Sequence, residues 1–163
     1  MDKKEILKEL REKFDELRKN LKFKSTYEEI NEMSYVEDMV LSDGYVSNQL
    51  SRKLINRMLE TFASWIPELN VLLFPAPYDI GRLNENKTLT QEEKNEITDM
   101  ISRIFYLYRK NKRIAFEGLD GEGEFIDEMV RFNKTHFNPF MLKYHKKLEK
   151  FWQESNSKTN KKH

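Results

Sequence analysis

Ile6, Leu7, Leu10, Phe14, Leu17 and Leu21 recur at steps of three and four with charged residues between them. That is the pattern of an amphipathic helix with a single apolar stripe, and it predicts a helix over residues 2–22. Glu9 and Lys13, then Asp15 and Lys19, place acid before base four residues apart, an order that adds roughly 0.3 kcal/mol per pair. A lone stripe does not say what covers it: the helix either lies on its own domain or zips against a second chain. Residues 1–24 are therefore the expected association arm, with Leu10, Phe14 and Leu17 as the side chains offered to a partner.

Thr26 followed by Glu29 reads as a capping box, and Tyr27, Ile30, Met33, Val36 and Val40 continue from it. This predicts one second helix, ending near Asp43 and Gly44, where glycine takes positive φ without penalty. From Val46 to Ile66 the apolar positions span a wide arc rather than a stripe, as expected of a central buried helix. Pro67, Pro75, Pro77 and Gly81 then punctuate a connection reaching about Leu89, long enough to contain a short helix of its own near residues 68–74.

Thr90, with Glu92 and Glu93 behind it, starts a further helix that carries Ile97, Met100, Ile101, Ile104, Phe105 and Tyr108 inward and ends on the basic residues 109–113, an order suited to the helix dipole. Gly118, Gly121 and Gly123 make an elbow before a helix over 122–133. Asn138 and Pro139 form the cap and first position of a last helix reaching Trp152. The polar stretch 153–163 is expected to be a disordered tail. The fold class is thus all-α: a single-domain helical bundle, residues 1–152, of about five to six main helices with a long Pro-containing connection.

Composition narrows the choice of function. With 29 basic against 28 acidic residues, no global field drives the chain onto nucleic acid or an anionic membrane. The lack of cysteine excludes disulfides and thiol chemistry. The charged start of the chain and the shortness of its apolar runs make the cytoplasm the expected compartment and a membrane partner unexpected. The Asn-Lys-Thr triplets at Asn86 and Asn133 accordingly read as chance matches. Gly-rich phosphate loops and nucleophile elbows are missing, so no cofactor is expected and the reading leans away from an enzyme.

Five constellations bear on chemistry. Asp120, Glu122 and Glu124 alternate like the start of a calcium loop, but Phe125 stands at the glycine position and Arg131 at that of the bidentate glutamate, so no metal site is assigned. Glu124, Glu128 and His136 could in principle hold a divalent ion or act as acid and base, but no H-x-x-x-H or E-x-x-H pair appears and residues 132–138 read as a loop between helices. In the stretch from Asp43 to Leu59, Gly44 makes the turn, Ser47 stands at a cap, and Asn48, Gln49 and Arg52 bring side chains that bond bases and phosphates. The stretch resembles a helix-turn-helix, which implies that Asn48, Gln49 and Arg52 line a recognition helix; the alternative is that Gly44 joins two antiparallel helices. Arg103, Tyr106, Lys110 and Arg113 share one helix face, and Lys143, Lys146, Lys147 and Lys150 another, each able to track phosphates. The 11 Phe, 7 Tyr and 7 Met exceed what one small core needs and suit contacts between helices of different chains. A non-catalytic interaction module that binds a protein partner or itself is the leading expectation; a nucleic-acid-binding regulator is the second.

Overall fold

The computed structural model describes residues 1–118 and 120–161. The protein is an all-α helical bundle. Among the described residues there are nine α-helices: α1 (Lys3–Leu21), α2 (Tyr27–Ser34), α3 (Val36–Asp43), α4 (Leu50–Ala63), α5 (Ile66–Leu73), α6 (Ile80–Thr88), α7 (Gln91–Glu117), α8 (Glu122–Phe132) and α9 (Asn138–Asn160), with a π-helical segment at Asn133–Phe137. None is long and apolar enough to cross a membrane. They group into two compact units, Met1–Ser64 with Ile104–Asn133, and Trp65–Arg103 with Lys134–His163.

In the first unit α1 starts on a capping box, Asp2 accepting from the Glu5 N–H while Glu5 accepts from the Asp2 N–H. Its stripe packs on α3, α4 and α8. Phe14 meets Phe23 and Tyr27 edge-on at centroid distances of 5.6 and 5.3 Å, the arrangement that ring quadrupoles favour. Thr26 and Glu29 do form a capping box. The single helix expected after it is, however, two. Tyr35 breaks it in the left-handed region at φ 52°, and Arg57, Thr61 and Asn31 take up the groups the break releases. Arg57 Nε donates to the Ser34 carbonyl at 2.7 Å, Thr61 Oγ1 to that of Met33 at 3.2 Å, and Asn31 Oδ1 accepts from the Glu37 N–H at 3.0 Å.

Gly44, at φ 82°, ends α3 as predicted, its N–H reaching the Val40 carbonyl at 3.0 Å. The helix that follows begins at Leu50, later than the apolar arc suggests, and buries Leu54, Ile55, Met58 and Phe62 completely. Phe62 packs edge-on against Phe132 of α8 at 5.0 Å. The first turn of α8 passes so close to the end of α1 that a Cβ at Gly123 would overlap the Leu21 carbonyl oxygen; only glycine permits this approach.

In the second unit α5 lies where the short helix was expected, with Pro67 in its first turn. The helix α6 was not expected. Asp79 caps it by accepting from the Arg82 N–H at 3.1 Å, and its remaining support is tertiary. Arg82 forks onto Glu68 of α5 at 2.6 and 3.0 Å, Asn86 Nδ2 donates to the Leu72 carbonyl at 2.7 Å, and Trp152 Nε1 donates to Glu85 at 3.1 Å.

Helix α7 starts on a Thr90–Glu93 capping box and exceeds its expected end at residue 113 by running to Glu117. Towards α9, Glu93 pairs with Lys147, and Glu96 accepts from Lys143 at 2.8 Å and the Tyr144 hydroxyl at 2.6 Å. The loop expected between α8 and α9 is the π-helical segment, so Asn138 and Pro139 continue a helical path instead of capping a new one. Phe137, the residue before α9, itself has helical angles (φ −67°, ψ −54°). The expected disordered tail is helical through Asn160, with Ser155, Ser157 and Thr159 hydroxyls bonded to carbonyls four residues back; Lys162 and His163 lie outside the described residues.

Candidate functional site

The stretch that resembles a helix-turn-helix has the turn but not the reading head. Ser47 Oγ accepts from the Gln49 N–H at 3.0 Å, a local turn that precedes α4 and leaves Asn48 and Gln49 exposed before the helix begins. Arg52 is on α4 but turned inward. Its guanidinium donates to Asn111 Oδ1 at 2.7 Å and lies 3.5 Å from Glu122 Oε2. Asn111 in turn donates to Asn56 Oδ1 at 3.1 Å, and Ser51 Oγ stands 3.5 Å from Glu122 Oε1.

Glu122 is 0% and Asn111 3% exposed, so this is an interior polar cluster joining α4, α7 and α8. Of the acidic elbow, Glu122 alone turns into the interior, while Asp120 and Glu124 stay exposed. The sequence did carry a sign of it: Ile104, Leu107, Asn111 and Ile114 form one buried stripe, and an amide in such a stripe needs a buried partner.

The basic face of α7 is largely neutralised. Arg103 pairs with Asp99 at 2.9 Å, Lys110 with Glu128 at 2.5 Å and Arg113 with Glu117 at 2.5 Å; the Lys110 ammonium is held above its usual range by the hydrogen bond to Glu128. Tyr106 is exposed. Two cations of the basic helix end, Arg109 and Lys112, have no ion pair among the described residues and lie 5.5 and 5.3 Å from the Tyr108 ring; Phe116, one helical turn beyond Lys112, is exposed. On α9, Lys143 and Lys147 pair with Glu96 and Glu93, and Lys150 reaches Glu154 at 4.0 Å. His145 is exposed, with Trp65 edge-on at 5.2 Å.

The stripe of α1 is occupied. Leu10 is 0% and Phe14 2% exposed, so these two side chains expected to meet a partner are core of the first unit, while Leu17 is half-buried. Nor do the acidic groups assemble: Glu128 is engaged by Lys110, and among the described residues no three His, Cys, Asp or Glu side chains stand together to hold a metal ion.

Apolar surface is instead displayed on the connection between α5 and α6. Phe74 is 80%, Tyr78 88% and Ile80 72% exposed, in a segment where Pro75 and Pro77 fix φ. Single exposed apolar residues are ordinary; here three large ones fall within seven residues of the chain, the last of them opening α6. Proline marks a connection here, and nothing in the residue pattern reports exposure. Compared with family models, curated proteins and solved structures, the chain matches none.

Proposed function

We propose that this chain is a non-catalytic helical interaction module of the cytoplasm, and that it meets a protein partner or a second copy of itself through the connection between α5 and α6. The observation that carries this reading is the exposure of Phe74, Tyr78 and Ile80. Water contact at these side chains is unfavourable by roughly 25 cal/mol per Å² of apolar surface, and covering them is the driving force the site supplies. The two prolines and the Arg82–Glu68 fork limit the entropy lost on binding, which is how a short preorganised segment holds a partner.

The test is a photo-crosslinking residue at position 78, read beside light scattering of the purified chain. A discrete adduct or a salt-resistant oligomer, lost when Phe74 and Ile80 become serine, is the expected result. A monomer that forms no adduct at position 78 rejects the reading.

A second reading, a nucleic-acid-binding regulator, is favoured by Arg109 and Lys112, which have no ion pair among the described residues and share α7 with Tyr106, Tyr108 and Phe116. Cations interleaved with aromatic faces suit a single strand, phosphates on the cations and bases on the rings. Fluorescence anisotropy with a labelled oligonucleotide should then show affinity that falls steeply with salt and is lost in the Arg109→Ala, Lys112→Ala variant. Binding that ignores salt, or survives that double substitution, rejects it.

A further inference from the structure

At the turn from α1 to α2 there is an open depression of about 470 Å³ lined by Asp15, Arg18, Lys19, Lys22, Phe23 and Lys24. Four of the six side chains are cationic and one is anionic. The dipole of α1 accounts for Arg18 and Lys19, which stand in its last turn. It does not account for Lys24, which belongs to the connection. None of the four cations has an ion pair among the described residues; Arg18 instead donates one N–H to the Lys24 carbonyl at 2.7 Å, which fixes its guanidinium at the rim with further donors to spare.

The turn is also held still. Asp127 of α8 accepts from the N–H groups of Lys24 and Ser25 at 2.9 and 2.8 Å and from the Ser25 hydroxyl at 2.6 Å. Lys22 takes the left-handed region at φ 58°, and the neighbouring Leu21 carbonyl is pressed against Gly123. These contacts fix the backbone that carries the cations, and a cluster of like charges gains affinity for an anion when it is assembled in advance.

The geometry points to a binding site for a compact anion bearing clustered phosphate groups. Four cations around one depression match a ligand with several negative charges, and lysine ammonium groups bind phosphate as point charges. The depression is open to solvent, and four cationic side chains against one anionic one select an anion over an apolar ligand. The site is on a different unit from Phe74, Tyr78 and Ile80, and the inference stands apart from either functional reading above.

The experiment is titration of sodium tripolyphosphate into the full ¹⁵N-labelled chain, followed by amide shifts at low and near-physiological salt. The expected result is one saturable event with shifts confined to the amides of residues 15–25. Lys22→Glu with Lys24→Glu should weaken it about tenfold or more, Lys19→Gln should weaken it less, and Lys146→Glu with Lys158→Glu should leave it unchanged. Melting by circular dichroism confirms that each variant folds. Co-sedimentation with vesicles containing a phosphorylated inositol lipid separates the two sources of this chemistry. Uptake that depends on Lys22 and Lys24 assigns a membrane headgroup, and its absence beside tripolyphosphate binding assigns a soluble ligand. Shifts spread without saturation over lysines of the whole chain, or unchanged affinity in the charge-reversed variant, overturn the inference.

Discussion

Gly123, Asp127 and Arg52 show what single side chains do here. Because a Cβ at position 123 would overlap the Leu21 carbonyl, Gly123→Ala should cost roughly 2–3 kcal/mol in chemical denaturation, the usual scale of forced backbone shifts. Asp127 is partly buried, which pushes its carboxyl up, but the Ser25 hydroxyl and the Lys24 and Ser25 N–H groups outweigh burial and hold it below the ordinary carboxylate range. A carboxyl depressed in the folded state stabilises fully above its unfolded pKa, and that contribution is lost as pH falls through the lower folded value. Asp127→Asn should therefore lower stability at neutral pH by about 1–3 kcal/mol, and the difference from the parent should shrink as pH drops below about 4. A gap that stays constant down to the acid transition would contradict this account.

Arg52 is a residue whose type suggested one role and whose surroundings assign another. Removing it leaves Glu122, 0% exposed, without its cation, so Arg52→Ala should destabilise by roughly 2–3 kcal/mol. Any affinity for nucleic acid should be unchanged by it in the fraction that remains folded.

Among the elements, the informative ones are those that departed from the expected pattern. The apolar series from Tyr27 to Val40 runs through the break at Tyr35 without interruption, because a periodic pattern reports which face is buried and not whether the backbone is continuous. The break persists because Arg57, Thr61 and Asn31 satisfy the freed backbone groups. A left-handed tyrosine is strained relative to glycine by about 1 kcal/mol, so Tyr35→Gly should raise stability by up to that amount in urea unfolding; a loss would show that the ring at position 35 matters more than the angle. In α6, Leu83 is flanked mainly by polar residues and no stripe exists to find. What makes it a helix is the Asp79 cap and its bonds to Glu68, Leu72 and Trp152, all but the first distant in sequence.

For the chain as a whole, the first unit is assembled from the N-terminal helices together with residues 104–133. Leu10 and Phe14 are part of that core, so deleting residues 1–24 should unfold the first unit instead of merely removing a contact arm, as judged by loss of amide protection in α3, α4 and α8. Replacing Phe74, Tyr78 and Ile80 by serine should do the reverse. Exposed side chains contribute within about 0.5 kcal/mol of stability, and the melting curve should stay put while association is lost.

The sequence by itself determined the all-α class, the amphipathic α1, the capping box at Thr26, the cap at Thr90, the stop at Gly44 and the existence of helices within residues 46–66, 90–113 and 122–133. These depend on spacing, cap chemistry and backbone preference, which act between near neighbours. Only the tertiary structure decided that the stripe of α1 is core, that Arg52 faces Glu122 and Asn111, that most of the basic faces are neutralised, and that Phe74, Tyr78 and Ile80 are displayed. Each of these depends on what a side chain meets from a distant part of the chain. A cation reads the same in sequence whether its carboxylate lies across a helix interface or is missing, and an aromatic residue reads the same in a core as on a surface.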